Sequence, residues 1–418
     1  MSKQKKQIAE CLTTADLWEL MMKRVPPIVS EYFRGGADDE TTLRGNVRAF
    51  QQSMTTAYGA LSFSSLDLNT TVVGHSLAVP WYIAPVGSLR ALYPMGDAVA
   101  SQVAGEFGTV MILSTLSGTP MESVTEASDS NCWFQLYLCG GRETALRGIE
   151  RAKRTGFTAL VLTIDTGVSG LRALHARMKP MQVTGPFRGL SLGGRLKLAA
   201  RKLMLAPQML PHLSWVIDHF RDGGLMQFVN VIDEQGQPMP YADIGVQLAA
   251  SAVTWNDLKW IKEAWGDEKP LIVKGVHCAY DARKAEEMGA SGVIWSNHGG
   301  RQQDRVPPTL HIVAQEMPLV SDTQLDFMMD GGVRNGTDVL IALSYGIKAV
   351  GIGRVTAAGI GAGGHVGLTR AFEIMESDLD RAMRIVGVQS VAEIHTRGAD
   401  IRRESQLHGD GHLPPIVF

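Results

Sequence analysis

Cysteine, excess charge and long apolar runs are all scarce in this 418-residue chain, and each scarcity argues against a class of protein. The four cysteines form no CxxC pair, which is typical of reduced thiols in a cytosolic protein rather than of a disulfide scaffold. A formal charge of −2 gives no basic footprint for nucleic acid. The first residues lack an apolar signal core, and no run reaches the roughly 18 apolar residues of a membrane-spanning helix.

Short apolar runs rich in β-branched residues are abundant from about residue 81, where they alternate with helical patterns. Near-continuous apolar strands are typical of a parallel sheet that is buried on both faces. The count of eight predicts an α/β protein, a (β/α)₈ TIM barrel, with a doubly wound open sheet as the alternative. The eight runs are residues 81–86, 110–115, 132–138, 159–165, 271–276, 292–297, 326–331 and 349–354.

Two parts of the chain fall outside this alternation and predict additions to the barrel. Residues 1–80 read as helix, loop, helix, and would form an N-terminal helical cap either under the barrel or over its mouth. Residues 173–252 contain no strand of the main series, so we expect a long insertion after strand 4, where a few residues are usual. We treat the whole chain as one domain, with the barrel at 81–390 and a C-terminal tail at 391–418.

The residues at the carboxyl ends of the predicted strands, where barrel enzymes place their active sites, are polar on every strand except the first. A barrel built only for stability would not need them, so the pattern predicts a polar ligand. Single residues decide little, because Tyr137 could be a packed tyrosine and Lys274 an ordinary strand-end lysine. The set is Pro85, Val86, Gly87, Ser114, Gln135, Tyr137, Thr163, Asp165, Lys274, Ser296, Asn297, His298, Asp330 and Arg354.

Glycine-rich loops follow the last two predicted strands, with the sequences DGGVRNGTD (330–338) and GIGR (351–354). Glycine lets backbone N–H groups approach an anion, and the N-terminus of a following helix adds a positive dipole. Arg334 and Arg354 add bidentate donors. Because the loops after strands 7 and 8 are the usual phosphate site of a barrel, we expect a phosphate group here rather than two plain turns.

The stretch SNHGGRQQDRVPP (296–308) begins at the end of the sixth apolar run and contains an unusual number of polar residues. His298 is a candidate acid or base near neutral pH, and Arg301 offers a planar fork for a substrate carboxylate. Asp165, from the end of strand 4, could hold the other imidazole nitrogen. Taken alone, the stretch would equally suit a structural histidine beside a surface arginine. We identify no metal site.

The motifs SNHGGRQQD, DGGVRNGTD, FQLY and LIVKG resemble the FMN-dependent family that oxidises 2-hydroxy acids, which includes glycolate oxidase, L-lactate dehydrogenase and mandelate dehydrogenase. The resemblance covers nearly the whole chain. It implies an oxidoreductase that binds FMN and converts an (S)-2-hydroxy acid, lactate-like or mandelate-like, to the 2-oxo acid. Hydride transfer and proton-first transfer both remain open. The family also implies a homotetramer, an expectation that we carry forward.

The resemblance implies a catalytic and substrate-binding set. His298 would take a proton from the substrate, and Asp165 would stabilise the resulting imidazolium. Tyr137 would hydrogen-bond the substrate hydroxyl or the developing carbonyl. The substrate carboxylate would be bound by Arg301 and Arg172, with help from the hydroxyl of Tyr32.

FMN contacts are implied in the same way. Lys274 would face N1 and O2 of the flavin, where reduction places negative charge, so it counts among both the catalytic and the cofactor-binding residues. The flavin ring would contact Ser114, Gln135, Thr163 and the backbone of Pro85, Val86 and Gly87, while Ser296 would lie near the ribityl chain. The phosphate would be held by Asp330, Gly331, Gly332, Arg334, Gly353 and Arg354.

Three positions depart from the glycolate oxidase pattern: Leu116 replaces a tryptophan, Gly167 a proline and Gly87 an alanine. Glycine at position 87 resembles members that react poorly with oxygen, or the monooxygenases. We therefore expect quinone or another non-oxygen acceptor. The alternatives are an oxygen-using oxidase or a lactate 2-monooxygenase-like enzyme and, from another class, a catalytically silent flavoprotein that binds a partner.

The insertion is basic and amphipathic, which is typical of a helix at a membrane surface. Residues 173–213 contain no acidic residue, and Leu196, Ala199, Ala200 and Leu203 fall on one helical face. The segment also resembles the insertion of membrane-associated lactate and mandelate dehydrogenases. We expect residues 188–216 to bind an anionic membrane, peripherally on its inner face, or else to pack on the barrel or a sister subunit. The basic residues are Arg177, Lys179, Arg188, Arg195, Lys197, Arg201 and Lys202.

Overall fold

The computed structural model describes residues 3–168, 170–177, 191, 193, 206–224, 226–240, 247–248 and 252–403. Most of the proposed anchor falls outside these ranges. This applies to the basic positions Lys179, Arg188, Arg195, Lys197, Arg201 and Lys202, and to the helical face of Leu196, Ala199, Ala200 and Leu203.

Eight parallel strands close into a barrel in which strand 8 pairs with strand 1 and strand 4 pairs with strand 5. The prediction of a TIM barrel is therefore confirmed, and the open-sheet alternative is wrong. Except for the fifth, every predicted strand runs one to three residues past the observed end, and Arg354 begins a helix rather than ending strand 8. The strands are Trp81–Ile83, Met111–Ser114, Cys132–Leu136, Ala159–Thr163, Leu271–Val276, Gly292–Trp295, Asp326–Asp330 and Ala349–Ile352.

A helix follows each strand and covers the outside of the barrel. In the third helix, Ala145, Ile149 and Ala152 are buried at i, i+4 and i+7, so one stripe packs on the sheet. Three basic residues in its last turn complement the helix dipole. The helices are Gly96–Glu106, Met121–Glu126, Gly141–Arg154, Trp255–Trp265, Ala279–Glu287, Thr309–Glu316, Gly336–Leu343 and Arg354–Gly363, and the last continues into His365–Val386.

The barrel interior contains an apolar layer beneath a polar one. Because side chains two residues apart on a strand share a face, one strand can contribute a residue to each layer, and strands 2 to 7 do so. The lower layer includes Tyr82, Ile112, Trp133, Val161, Ile272, Ile294 and Met328, all buried. Two residues further along the strands stand Ser114, Gln135, Thr163, Lys274, Ser296 and Asp330, also buried. This polar layer forms the floor of the barrel mouth.

The N-terminal helices reach the mouth, and a hairpin closes the opposite end. Helix Thr41–Gln52 is fixed to the mouth because Asp304 accepts hydrogen bonds from the backbone nitrogens of Thr41 and Thr42, at 3.2 and 2.7 Å. The hairpin of Thr70–Val72 and His75–Leu77 packs Val72 and Leu77 against the lower apolar layer. The remaining N-terminal helices are Lys3–Ala9, Thr14–Arg24 and Pro27–Arg34. Both placements considered for residues 1–80 therefore occur, in different segments.

The insertion after strand 4 contributes helices and a hairpin to the outside of the mouth. Two ion pairs hold helix Leu213–Arg221 and the turn after it to the barrel: Arg24 with Asp218 at 2.9 Å, and Arg90 with Asp222 at 2.6 Å. Within the described ranges, no helix is long and apolar enough to cross a membrane. The other insertion elements are helices Ala173–Arg177 and Ala206–Met209, the 3₁₀ turn Leu210–His212, and the antiparallel pair Gln227–Ile232 and Pro238–Pro240.

The C-terminal elements pack back against the rest of the chain. Strand Arg402–Arg403 pairs antiparallel with Met54–Thr55, which links the C-terminal segment to the chain just after helix Thr41–Gln52. The subdivision at residues 80 and 390 stays a prediction. The remaining elements are helices Val391–Thr396 and Gly398–Ile401 and the 3₁₀ turns Leu89–Ala91 and Met317–Val320.

Candidate active site

A cavity that is open to solvent occupies the carboxyl ends of the strands. Most of the site residues suggested by the sequence line it together: Tyr32, Pro85, Val86, Gly87, Ser114, Tyr137, Arg172, Lys274, His298, Arg301, Asp330, Gly331, Gly332, Arg334, Gly353 and Arg354. Four others, Gln135, Thr163, Asp165 and Ser296, are not part of its wall. They lie immediately behind wall residues to which three of them are hydrogen-bonded.

The loop after strand 6 coils unusually tightly. His298, Gly299 and Gly300 are consecutive and have φ angles of 58°, 63° and 73°. Glycine adopts such angles without strain, whereas His298 does so at a cost that functional sites commonly bear. A side chain on Gly300 would lie 2.5 Å from the backbone nitrogen of Leu43, so the cap can approach only because the residue is glycine.

Two polar residues of the same loop serve the architecture rather than the cavity. The side-chain amides of Asn297 and Asn46 exchange hydrogen bonds of 2.8 and 2.9 Å, both buried. Asp304 binds the N-terminus of the cap helix, as described above. The polar density of SNHGGRQQD therefore has two origins, because some residues hold the cap and others face the cavity.

The His298 imidazole is held between a carboxylate and a phenol. Its Nδ1 lies 3.0 and 3.1 Å from the two carboxylate oxygens of Asp165, and its Nε2 lies 3.5 Å from the hydroxyl of Tyr137. Asp165 favours the tautomer with the proton on Nδ1, which leaves Nε2 facing the cavity as an acceptor. This arrangement suits a general base.

Asp165 remains ionised although it is buried. Burial alone would raise its pKa, but the facing His298, followed by Lys274 and His277, holds the pKa below its usual range. A fixed negative charge at this position stabilises a positive charge on the imidazole. The pKa of Tyr137 moves the other way, because burial and then Asp165 raise it well above its ordinary value. Tyr137 is therefore a neutral hydrogen-bond donor.

Two arginines stand over the ring of Tyr32 at the cavity rim. The guanidinium carbons of Arg301 and Arg172 lie 5.0 and 5.3 Å from the ring centre. Nη1 of Arg301 donates to the backbone oxygens of Tyr32 and Gly35, at 2.7 and 3.1 Å. Burial, and then the charge of Arg172, lowers the pKa of Arg301 to about 10. A bound carboxylate would relieve both effects.

Lys274 belongs to a buried triad in the cavity floor. Its Nζ donates to Oγ of Ser296 at 2.9 Å and lies 3.1 Å from a carboxylate oxygen of Asp330. Ser296 in turn donates to the other carboxylate oxygen of Asp330 at 2.5 Å. The three side chains fix one another, so the ammonium group has a defined position beneath the cavity.

The loops after strands 7 and 8 form a cationic pocket at one end of the cavity. Nε and Nη2 of Arg334 and Nε of Arg354 are buried and lack a hydrogen-bond partner in the parts of the chain that the structure describes. Burial lowers the pKa of Arg334 to about 10. Burial, and then Arg334 and Arg301, lowers that of Arg354 further. Two buried guanidinium groups with free donors fit a phosphate group.

The polar layer beneath the cavity offers further unsatisfied groups. Nε2 of Gln135 and Oγ1 of Thr163 are buried and unpartnered within the described part of the chain. The carbonyl oxygen of the same Gln135 side chain accepts from Ser114 at 3.1 Å, which leaves its amide nitrogen for another acceptor. A flavin ring, which has hydrogen-bonding groups along its edge, fits this floor, and FMN fits the floor and the phosphate pocket together.

The structure also adds cavity residues that the sequence did not indicate: Phe33, Thr166, Leu248 and Gln302. Gln302 accepts from the backbone nitrogen of Gly170 at 3.2 Å and so links the motif loop to the loop after strand 4. The position of Gln302 within the motif SNHGGRQQD could have indicated that it lies at the cavity. Leu248 belongs to the insertion, and nothing in its local sequence indicates that it reaches the cavity.

Known proteins are similar to this chain in sequence and in structure over most of its length. A family model described as FMN-dependent dehydrogenase matches residues 21–400. A 2-hydroxyacid oxidase of Dictyostelium discoideum is 31% identical over 395 residues, which cover 94% of this chain and 91% of that protein. An L-lactate dehydrogenase of Chromohalobacter salexigens is 34% identical over 378 residues, which cover 89% and 91%. A crystal structure of the monotopic membrane protein (S)-mandelate dehydrogenase superposes with a TM-score of 0.81 at 30% identity, covering 94% of this chain and 100% of that one.

Proposed function

The chain belongs to the FMN-dependent dehydrogenase family. We propose that it is a peripheral membrane enzyme that passes electrons to a quinone from an (S)-2-hydroxy acid with an apolar side chain. FMN-dependent oxidation of a 2-hydroxy acid follows from the family itself. The residue roles, the substrate side chain, the acceptor and the location are the proposal. The observation that carries the chemistry is the His298–Asp165 pair, which faces a cavity rimmed by two arginines.

Proton transfer is assigned to His298. When bound, FMN supplies the two-electron acceptor for the substrate. Nε2 of His298 accepts the proton that the substrate loses, because Asp165 occupies Nδ1 and stabilises the imidazolium that results. Tyr137, kept neutral by burial, donates to the substrate oxygen. These roles hold whether the substrate carbon loses a hydride or a proton first.

Substrate orientation is assigned to the two rim arginines. Arg301 and Arg172 both contact the ring of Tyr32, and the charge of Arg172 acts on Arg301, so the two guanidinium groups lie near each other. A carboxylate between them would accept hydrogen bonds in a planar geometry that lysine does not reproduce. This contact would place the substrate hydroxyl beside His298 and Tyr137, which line the same cavity.

An apolar wall indicates the substrate's side chain. Leu116 and Leu248 line the cavity and pack in a cluster with Met226, Phe228 and Val231 from the insertion. A charged or strongly polar side chain in contact with this wall would lose its water without gaining hydrogen bonds. We therefore assign to the enzyme a 2-hydroxy acid with an alkyl or aryl side chain.

Membrane association is supported by an exposed apolar stripe within the insertion. Leu210, Leu213, Ile217 and Phe220 have 62, 55, 48 and 72% of their surfaces exposed, and their spacing places them on one side of helix Leu213–Arg221 and the turn before it. The opposite side holds Trp215, which donates to the backbone of Ala91 at 2.9 Å. An apolar stripe beside a basic segment suits an anionic membrane surface. A monotopic neighbour of this fold supports the same assignment.

Steady-state turnover with different acceptors tests this proposal. We expect purified holoenzyme to oxidise L-lactate, (S)-mandelate or a branched (S)-2-hydroxy acid, but not (S)-malate, with a soluble dye or a short-chain quinone as acceptor and little oxygen consumed. Oxygen consumption at the rate of dye reduction would favour the oxidase alternative. Bound FMN without turnover of any acid would favour a silent flavoprotein.

A further inference from the structure

Tyr82 is out of place in the lower layer of the barrel interior. The layer is otherwise mostly aliphatic, with Ile112, Val161, Ile272 and Ile294 around the barrel axis. Tyr82 has no exposed surface, and its hydroxyl has no hydrogen-bond partner among the described residues. Burying an unpaired hydroxyl is unfavourable, and phenylalanine would fill the same volume, so the hydroxyl itself needs an explanation.

The hydroxyl of Tyr82 lies near Asp330, a member of the triad beneath the cavity. Tyr82 lies opposite Gly351 in the register of strands 1 and 8. A Cβ at Gly351 would lie 2.9 Å from the Tyr82 hydroxyl oxygen and 3.0 Å from Cβ of Asp330. The absence of a side chain at Gly351 thus lets the phenol reach the underside of Asp330. Burial, and then the charge of Asp330, raises the pKa of Tyr82 well above its ordinary value, so the phenol keeps its proton.

Asp330 sets how much positive charge Lys274 presents to the cavity. Its carboxylate already binds the Lys274 ammonium and the Ser296 hydroxyl, and it is 7% exposed. Each added donor spreads the negative charge of a carboxylate over more hydrogen bonds and weakens its pull on any one partner. A third donor from below would therefore leave more of the positive charge of Lys274 facing the ligand above.

We propose that Tyr82 is a positioning residue that tunes the bound FMN: its hydroxyl donates to Asp330, directly or through one water molecule, and thereby frees the charge of Lys274 for the reduced flavin. The inference rests on the proposed role of Lys274. It concerns an equilibrium property of the holoenzyme, so it can be tested without a hydroxy acid.

The midpoint potential of the bound flavin in Tyr82→Phe provides the test. We expect the equilibrium constant for reduction against a reference dye to fall about three- to tenfold, the size of effect of one hydrogen bond. For a two-electron couple, tenfold corresponds to about 30 mV. A potential that is unchanged or higher would overturn the proposal. Phenylalanine keeps the ring, so the variant is expected to fold.

Trp133→Phe is the matched control for altered packing. Trp133 lies in the same layer, with its ring centre 6.1 Å from that of Tyr82, and its Nε1 is likewise buried without a partner in the described ranges. We expect this change to leave the potential unaltered. An equal fall in both variants would mean that packing, not the Tyr82 hydroxyl, sets the potential, and would overturn the proposal.

Lys274→Met separates this inference from the proposed function. A fall of the potential in Lys274→Met with none in Tyr82→Phe would contradict only the role of Tyr82. A fall in Tyr82→Phe with none in Lys274→Met would show that Tyr82 does not act through Lys274, which also contradicts the proposal. If the wild-type holoenzyme oxidised no hydroxy acid, the proposed function would be contradicted. The flavin potentials of the variants would still test the role of Tyr82.

Discussion

At the scale of single residues, the unsatisfied guanidinium groups of Arg334 and Arg354 are the clearest mark of a bound anion. Burial depresses the pKa of both, and each keeps at least one buried N–H donor without a partner among the described residues. We expect Arg354→Ala to weaken FMN retention roughly ten- to a hundred-fold, the range of a charge-assisted hydrogen bond. Equilibrium dialysis of the holoenzyme measures it. Arg283→Ala, which removes an exposed arginine paired with Asp322, is the control, and equal retention in both variants would contradict the assignment.

Arg301 can be tested by comparing acid with ester. Arg301→Lys keeps a positive charge but loses the planar fork, so both affinity and flavin reduction rate should drop for the acid. A neutral methyl ester of the same substrate makes no ionic contact, and its disadvantage relative to the acid should shrink in the variant. The ratio of acid to ester rates discriminates, because general loosening around Tyr32 would slow both. If the ratio of acid to ester rates were the same in the wild type and in the variant, Arg301 would not bind the carboxylate.

Asp97 predicts a pH dependence of stability outside the active site. Its carboxyl group is buried and accepts a hydrogen bond from Thr119 at 3.0 Å, and burial raises its pKa to about 6. A folded-state pKa above the unfolded value of about 3.9 gives stability that is present at low pH and lost as pH rises through the folded pKa. Relative to Asp97→Asn, the wild type should lose about 1 kcal/mol of unfolding free energy between pH 5 and pH 7. Denaturant titrations at the two pH values measure it, and parallel behaviour of the two proteins would contradict the prediction.

Most of the residues that line the cavity were predictable at this scale because they lie in contiguous motifs. SNHGGRQQD contains both His298 and Arg301, and DGGVRNGTD contains Arg334. Leu248 and Tyr82 were not predictable, because each acquires its place only through the fold. Leu248 reaches the cavity from the insertion, and Tyr82 approaches Asp330 only across the bare backbone of Gly351. Asn297 shows the converse, since its polarity suggested a ligand and the structure pairs it with Asn46.

At the scale of secondary-structure elements, helix Leu213–Arg221 has one docked side and one exposed side. The docked side holds Trp215 and Asp218, while Leu213, Ile217 and Phe220 face solvent. Replacing these three by serine should release the protein from anionic vesicles at low salt, as should replacement of residues 188–216 by a short Gly/Ser linker. Each basic residue near an anionic surface contributes about 1 kcal/mol, so high salt should weaken the binding of the wild type. Sedimentation with vesicles measures each case.

The control for the exposed stripe removes apolar surface elsewhere. Leu319 and Ile385 are also exposed, at 56 and 54%, but lie outside the insertion. Serine at both positions should leave vesicle binding unchanged. If the control variant lost as much vesicle binding as the stripe variant, or if the linker variant pelleted like the wild type, the segment would not anchor the protein. Either result would favour packing of the insertion on the barrel or on a sister subunit.

Sequence patterns predicted the strands that are buried because they lie inside the closed sheet. The eight barrel strands are buried along their whole length or nearly so, and their apolar runs therefore stand out. The hairpins of Thr70–Val72 with His75–Leu77 and of Gln227–Ile232 with Pro238–Pro240 were not predicted. Their strands mix polar with apolar residues, because one side faces solvent and tertiary contacts complete the burial.

At the scale of the whole molecule, the mouth of the barrel is completed from two distant parts of the chain. The N-terminal cap delivers Tyr32, and the insertion delivers Leu248, while the strands supply the polar floor. The order of strands and helices made the barrel predictable. The closure of its mouth was not, because it depends on contacts such as Ala37 to Gly300 that join segments far apart in sequence. The homotetramer stays a prediction.

The central claim is that His298 accepts the substrate proton when the bound flavin is reduced. Rapid mixing of holoenzyme with an (S)-2-hydroxy acid under anaerobic conditions tests it through the loss of flavin absorbance. We expect wild-type protein to bleach and His298→Gln to bleach more slowly by about 10²- to 10⁴-fold, with FMN still bound and substrate affinity little changed. Bleaching of His298→Gln within a factor of about three of the wild-type rate would contradict the account.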